Sequence, residues 1–261
     1  MLLFAHLSDT HLDGADTALR RTRAVMRRLR EMPLAAVLVT GDIADHGAVA
    51  EYEQAAAELV ADVPVLVLPG NHDERGAFRK VLLGAAAAGG AVRDAAGDGP
   101  VNRAQVVDGV LFALCDSSIP GRDDGRLATE TLAWLRATLA AHQGPALVCL
   151  HHPPVMVHHP LLDGIRLGNP DDLAAVLADR PNVAGVLCGH AHLAASTGFA
   201  GRPLVVAPGV VSTVRLPWTS PRPLTWDDVV EADEPPGVAF HVLDDTGGLT
   251  THFRSVREPQ G

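Results

Sequence analysis

The sequence is poor in cysteine and in positive charge. Its three cysteines, Cys115, Cys149 and Cys188, lie far apart, form no C-x-x-C pair, and each sits inside an apolar run. An odd, dispersed set does not build a disulfide framework, so these are expected to be buried, reduced thiols in a cytoplasmic protein. Lysine is almost missing: of 21 Lys+Arg residues only Lys80 is lysine, a skew that resembles genomic base bias more than surface design. The 31 acidic residues outnumber the basic ones and give a formal charge of -10, a poor balance for general nucleic-acid binding. No apolar run reaches about 18 residues, so no membrane span is expected. The N-terminal stretch has neither a cationic n-region nor a small-residue cleavage site, and no signal peptide is expected. No internal repeat or interdomain linker is visible.

What remains is globular: 47% of the 261 residues are hydrophobic and 20% charged. The length suits one domain over 1–261, with a C-terminal loop and hairpin (about 213–256) as an appendage. Short β-branched runs predict strands at Leu3–Ser8, Ala35–Thr40, Val63–Leu68, Val106–Cys115, Ala146–Leu150, Val183–Cys188 and Leu204–Ala207. Val238–Leu243 and Leu249–Val256 follow, joined by a turn at Gly247-Gly248. Helices are predicted over Asp16–Arg30, with Leu19, Thr22, Met26 and Leu29 on one face and arginines on the others, over Ala48–Val60 and over Thr129–His142. A further helix runs from Pro170 to Ala178, with proline and acids in its first turn. Strands alternating with helices and then a run of strands define an α/β layered domain. Three long loops stand out: Ala85–Arg103, His152–Asn169 and the proline-rich Thr213–Pro236.

The chemistry collects where strands end. Asp9-Thr10-His11, Gly41-Asp42, Gly70-Asn71-His72-Asp73, His151-His152-Pro153 and Gly189-His190-Ala191-His192 each follow a predicted strand. Sites in open α/β sheets form beyond the carboxyl ends of strands. In extended chain, residues i and i+2 point the same way, so Asp9 and His11 can approach one metal together; His190 and His192 share the spacing, though their loop could divert them to two neighbouring ions. Carboxylate, amide and imidazole donors suit Mn, Fe or Zn. Singly, Asp42 reads as a turn or helix cap, Gly70-Asn71 as an ordinary turn, and His151 as a core histidine. Five such motifs at five strand ends carry a joint signal.

The ordered set D-x-H, G-D, G-N-H-D, H-x-P and G-H-x-H, spanning residues 9 to 192, resembles the calcineurin-like metallophosphoesterase superfamily. The phrases around Ser8–Leu12, Gly41–Gly47 with Glu51-Tyr52, His151–Pro154 and Pro235–His241 are similar to its class III cyclic-nucleotide and glycerophosphodiester phosphodiesterase branch. The resemblance implies a two-sheet β-sandwich flanked by helices, four layers in all, with a dinuclear metal centre at the strand ends. It implies that Asp9, His11, Asp42 and His192 hold one ion. Asp42 would bridge to a second, completed by Asn71, His151 and His190. His151 is preferred to His152 because the family ligand sits two residues before the proline. His72 would be the catalytic acid/base histidine.

The implied activity is hydrolysis of a small phosphodiester, a 3',5'-cyclic nucleotide such as cAMP or a glycerophosphodiester. The attacking group would be a hydroxide shared by two divalent or trivalent ions (Mn, Fe or Zn). Asp73 or Asp45 is expected to orient a histidine from outside the ligand set. The -10 charge then argues against long polyanions rather than against phosphate, since a di-cation centre attracts phosphate locally. The expected partner is a small molecule, with neither nucleic acid nor membrane, and a homodimer is compatible with the resemblance. A phosphomonoesterase or nucleotide pyrophosphatase on the same centre is the second reading, a nuclease suits the acidic balance poorly, and a non-catalytic protein-binding scaffold ranks below catalysis because no ligand type is missing. His158, His159 and Arg166 could reach the substrate from their loop, and Trp218 or Trp226 could stack on a base or pack a dimer interface.

Overall fold

The apolar runs become strands because their side chains alternate between two interiors. The computed structural model describes residues 1–84 and 99–257. In chain order it contains β1 (Leu2–Leu7), α1 (Asp16–Arg30), β2 (Ala36–Thr40), α2 (Val49–Glu58), β3 (Val65–Leu68) and α3 (Arg75–Phe78). Then follow β4 (Arg103–Val107), β5 (Val110–Cys115), α4 (Thr129–Ala141), β6 (Ala146–Leu150), α5 (Pro170–Leu177) and β7 (Val183–Cys188). The remainder holds β8 (Ala195–Phe199), β9 (Arg202–Val206), β10 (Thr213–Val214), β11 (Val230–Glu231), β12 (Gly237–Leu243) and β13 (Leu249–Ser255).

One sheet has the order β13-β12-β1-β2-β3 and the other β4-β5-β6-β7-β9-β8. Strands β1, β2 and β3 run parallel, as do β5, β6, β7 and β9, so the carboxyl ends within each set lie on one side. The sheets pack on Phe4, Leu38, Leu66 and Leu68 from one and Phe112, Leu114, Leu147 and Leu187 from the other. Phe4 meets Phe112 edge to face across this seam, with centroids 5.1 Å apart. On β2 the alternate residues Val37 and Val39 turn outward and join Val25, Met26 and Leu29 of α1. On β6, Val148 and Leu150 likewise join Leu135 and Leu139 of α4 and Leu173 and Leu177 of α5. Helices, sheet, sheet, helices are the four layers that the motifs implied.

The observed elements differ in places from those expected. The run Val106–Cys115 is not one strand but the hairpin β4-β5, turned at Asp108 and Gly109 with φ of 46° and 81°. Asp-Gly is the pair that the tight hairpin turn demands, and it outweighs the continuous apolarity around it. The edge strand β8 was not foreseen, because its sequence ASTGF is mostly polar. Within the C-terminal region, β12 pairs antiparallel with β1 from Leu2↔Leu243 to His6↔Ala239. The Thr213–Pro236 segment contains the short β10-β11 pair. Of the loop Ala85–Arg103, residues 85–98 lie outside the described residues.

All three cysteines are buried in strands, and burial pushes the thiol pKa of each upward. They are therefore poor nucleophiles.

Candidate metal centre

Three parallel strands of one sheet and two of the other end at the same place. The loops after β1, β2 and β3 bring Asp9, His11, Asp42, Asn71 and His72; those after β6 and β7 bring His151, His190 and His192. Donor atoms of Asp9, His11 and His192 lie within 4.8 Å of one another, and so do those of Asp9, Asp42 and His151. The predicted residues are thus gathered into one cluster at the seam between the sheets.

The backbone achieves this differently from the extended spacing argued above. Asp9, His11, Asp42, His190 and His192 all have positive φ, at 57°, 40°, 48°, 68° and 50°. The chain turns at each candidate ligand, so same-face alternation does not govern where the side chains point. Left-handed backbone at non-glycine residues is strained and concentrates at functional sites. Gly41, at φ +92°, makes the crowding feasible: a Cβ there would lie 2.6 Å from His151 Nδ1 and 2.7 Å from the Gly70 nitrogen.

Hydrogen bonding alone does not satisfy the cluster. His151 Nε2 is 3.1 Å from Asn71 Oδ1, 3.2 Å from Asp42 Oδ2 and 3.2 Å from His190 Nδ1. A ring nitrogen carries at most one proton and cannot serve three neighbours. His11 Nε2 is 3.3 Å from His192 Nε2 and 3.6 Å from Asp42 Oδ2. Asp9 Oδ2 and His190 Nε2 are buried with no hydrogen-bond partner among the described residues. Buried donor atoms left without partners in a cluster of carboxylates and imidazoles fit the binding of cations.

The far side of three of the imidazoles is fixed. His151 Nδ1 donates to the Thr40 carbonyl at 2.6 Å, His11 Nδ1 meets Asp45 Oδ1 at 2.8 Å, and His192 Nδ1 meets Ser212 Oγ at 2.9 Å. Such partners set the tautomer that leaves the other nitrogen free for a metal. Of the two carboxylates expected to orient a histidine, Asp45 does so. Asp73 instead accepts from the backbone of Ile43, Ala44 and Gly70 and from the Tyr52 hydroxyl. It clamps the second loop to the third, and burial followed by the nearby Asp42 raises its pKa to about 6.

His152 has both ring nitrogens engaged, Nδ1 with Ser117 Oγ at 2.8 Å and Nε2 with the Asp123 carbonyl at 3.1 Å. It lies within reach of His151 and His190; burial lowers its pKa to about 3, and in the neutral tautomer that donates to the Asp123 carbonyl the Nδ1 lone pair accepts from the Ser117 hydroxyl. Burial also opposes charge on His151, yet Asp42 and Asp9 carry that group up to about 9. Burial raises and His151 lowers the Asp42 carboxyl, with a net position well below the ordinary range. The centre is built to hold positive charge against buried carboxylates.

His72 donates from Nδ1 to the Asp45 carbonyl at 2.8 Å and packs edge-on to His11 with centroids 4.7 Å apart. It lines a cavity of about 660 Å³ together with His11, Asp42, Asn71, His190 and His192. From the 152–169 loop the cavity receives Leu162 and Ile165, not His158, His159 or Arg166. His159 is buried against the Arg215 carbonyl, and Arg166 donates to the Asp163 carbonyl. From the 213–236 segment it receives Trp226, whereas Trp218 is no part of it. Ser212 and Arg21 were missed. Arg21 was expected on an exposed face of α1, but it is 3% exposed and donates to the carbonyls of Val210, Ala232 and Glu234. Its buried role leaves no signal in helical periodicity.

A two-sheet sandwich with mixed carboxylate, amide and imidazole donors at the strand ends defines a phosphoesterase-type metallohydrolase. The family model described as calcineurin-like phosphoesterase matches residues 2–194, and the chain belongs to that family, which implies two metal ions. A probable cyclic nucleotide phosphodiesterase of Rhodococcus erythropolis is 36% identical over 229 residues, covering 81% of this chain and 71% of the relative. The glycerophosphodiester phosphodiesterase GpdQ of Enterobacter lignolyticus is 31% identical over 236 residues, covering 85% and 82%. A dimetal phosphatase from Danio rerio superposes with a TM-score of 0.72 at 17% identity, covering 98% of this chain and 97% of that one, which shows the shared fold.

Proposed function

We propose that the chain is a metal-dependent phosphodiesterase acting on a small phosphodiester. The observation that carries this is a pair of donor clusters that share Asp9, with Asp42 Oδ2 3.6 Å from His11 Nε2 and 3.2 Å from His151 Nε2, beside His72. In this reading Asp9, His11, Asp42 and His192 hold one ion, and Asp42, Asn71, His151 and His190 the other, with Mn, Fe or Zn as candidates. Two such ions, when bound, supply a water deprotonated near neutral pH and positive charge against the phosphoryl oxygens. His72, held through Nδ1–H by the Asp45 carbonyl, would as the imidazolium donate its Nε2 proton to the leaving alkoxide and be left neutral.

The cavity lining favours a diester over a monoester. Among the described residues it contains no lysine or arginine, while Asp13, Asp45 and Asp123 add negative charge. A diester brings one negative charge to the ions; a monoester near neutral pH brings nearly two, and the acids repel the second. The relatives are named for cyclic nucleotides and for glycerophosphodiesters, and both are small diesters. We further read 1–261 as one domain of a cytoplasmic enzyme with neither nucleic acid nor membrane as partner, and a homodimer as its assembly. Among the described residues no helix is long and apolar enough to cross a membrane.

The test is elemental analysis of protein purified without chelators, followed by turnover of bis(p-nitrophenyl) phosphate and p-nitrophenyl phosphate on the same sample. About two metals per chain and preference for the diester are expected. Faster turnover of the monoester would move the function to the phosphomonoesterase reading.

A further inference from the structure

Part of the cavity wall contributes nothing to the metal cluster. Leu162, Ile165, Val214, Trp226, Val229 and Val230 line the same space as Asn71 and His72. Trp226 is 55% exposed, so much of its indole remains open to a ligand. The segment that carries it is held in place from both ends. Val214 pairs with Val230 across β10-β11, and Arg21 of α1 donates to the carbonyls of Val210 and Ala232, each at 2.9 Å. A hydrated polyol gains little from such a surface, whereas a planar heterocycle buries apolar area on the aliphatic groups and stacks on the indole. The volume of about 660 Å³ is of the size that encloses a small ligand.

We propose that Trp226, with the aliphatic wall around it, is a nucleobase subsite, so that among small diesters the enzyme selects nucleoside phosphodiesters over glycerol-based ones. This rests on the phosphodiesterase reading above and assigns a specificity-determining residue to it. Trp218, 70% exposed and outside the cavity, serves as the control.

The experiment has two arms. In the first, the metal-loaded His72→Asn protein is titrated with 3',5'-cyclic AMP and intrinsic fluorescence is followed. Quenching is expected, to be lost when W226F is added and kept when W218F is added. In the second, kcat/KM is measured for cyclic AMP and for sn-glycero-3-phosphoethanolamine. W226A should lower the cyclic AMP value about 10- to 100-fold, mainly through KM, and leave the glycerol-based value unchanged. W226F, which keeps an aromatic face, should retain most of the cyclic AMP activity. An equal fall on both substrates, no fall on cyclic AMP, or quenching that survives W226F overturns the subsite. Quenching by cyclic AMP with no diester hydrolysed by the wild-type enzyme would leave the subsite standing and overturn the phosphodiesterase reading instead.

Discussion

Arg21 Nε donates to the backbone carbonyl of Val210 at 2.9 Å, from the middle of α1 to the chain just after β9. A charged side chain that is 3% exposed and spends its donors on backbone carbonyls fixes a loop by its shape. Arg21→Met should cost about 2–4 kcal/mol in urea denaturation, because the carbonyls of Val210, Ala232 and Glu234 lose charge-assisted partners. At temperatures where the variant stays folded, KM for the diester should rise more than kcat falls. Unchanged stability together with unchanged KM would show that the loop is held by other contacts.

His72 is 40% exposed at its side chain and, among the described residues, held through Nδ1, so its replacement should spare the fold. His72→Asn is expected to keep about two metals per chain while kcat drops roughly 10²- to 10⁴-fold. The drop should shrink for a p-nitrophenolate leaving group, which needs no proton. An equal drop for alkoxide and nitrophenolate leaving groups would remove the general-acid role.

Asp45 and Ser212 hold His11 and His192 from behind. D45N and S212A should each weaken metal retention about 10- to 100-fold, read by competition with a chelator dye, while the secondary structure stays intact. Excess metal in the assay should restore much of the rate. Wild-type metal affinity in both variants would mean that the histidines are fixed by packing alone.

His6 and His241 meet inside the first sheet, ring nitrogens 3.1 Å apart, with Thr40 and Thr251 hydroxyls on the outer nitrogens at 2.9 and 2.8 Å. Burial lowers the His241 pKa to about 3; burial and then the facing His241 take His6 well below its ordinary value. In the unfolded chain both titrate at about 6.5. Between that value and about 3 the unfolded chain binds protons that the native state refuses, so stability rises with pH across this window and is fully present above it. Each histidine should contribute a slope of about 1.4 kcal/mol per pH unit within the window. Urea midpoints of metal-free protein at about pH 7.5, 6 and 5 check this, and H241Q should flatten the dependence. A wild-type midpoint that does not fall on acidification would contradict it.

The layered fold and the members of the cluster were legible because strand ends announce themselves. An apolar run stops, a glycine follows, and a chemically distinctive side chain comes next, as at Gly41-Asp42 and Gly189-His190. The positive φ at five of the candidate ligands was not legible, since Asp and His give no local sign that the surrounding packing forces them there. Orientation partners escaped for a related reason. Thr40 acts through its carbonyl, which any residue possesses, and Ser212 comes from 20 residues beyond the His192 it holds. Arg21 was hidden by a pattern in which arginine marks the solvent side. Asp45 could be anticipated as a partner because it belongs to the same short motif as Asp42.

The pairing of β1 with β12 has a consequence for the order in which the protein acquires its shape. Leu2 sits opposite Leu243, so a central strand of the first sheet lacks its second neighbour until the chain has been made through Leu243. The cluster has the same dependence, since its outermost members are Asp9 and His192. Contacts this distant along the chain slow folding and leave a strand edge unpaired during synthesis. A ribosome-bound chain that has not yet emerged through Leu243 therefore exposes one side of β1. Until then the open edge of β1 is a place where a nascent chain can pair wrongly.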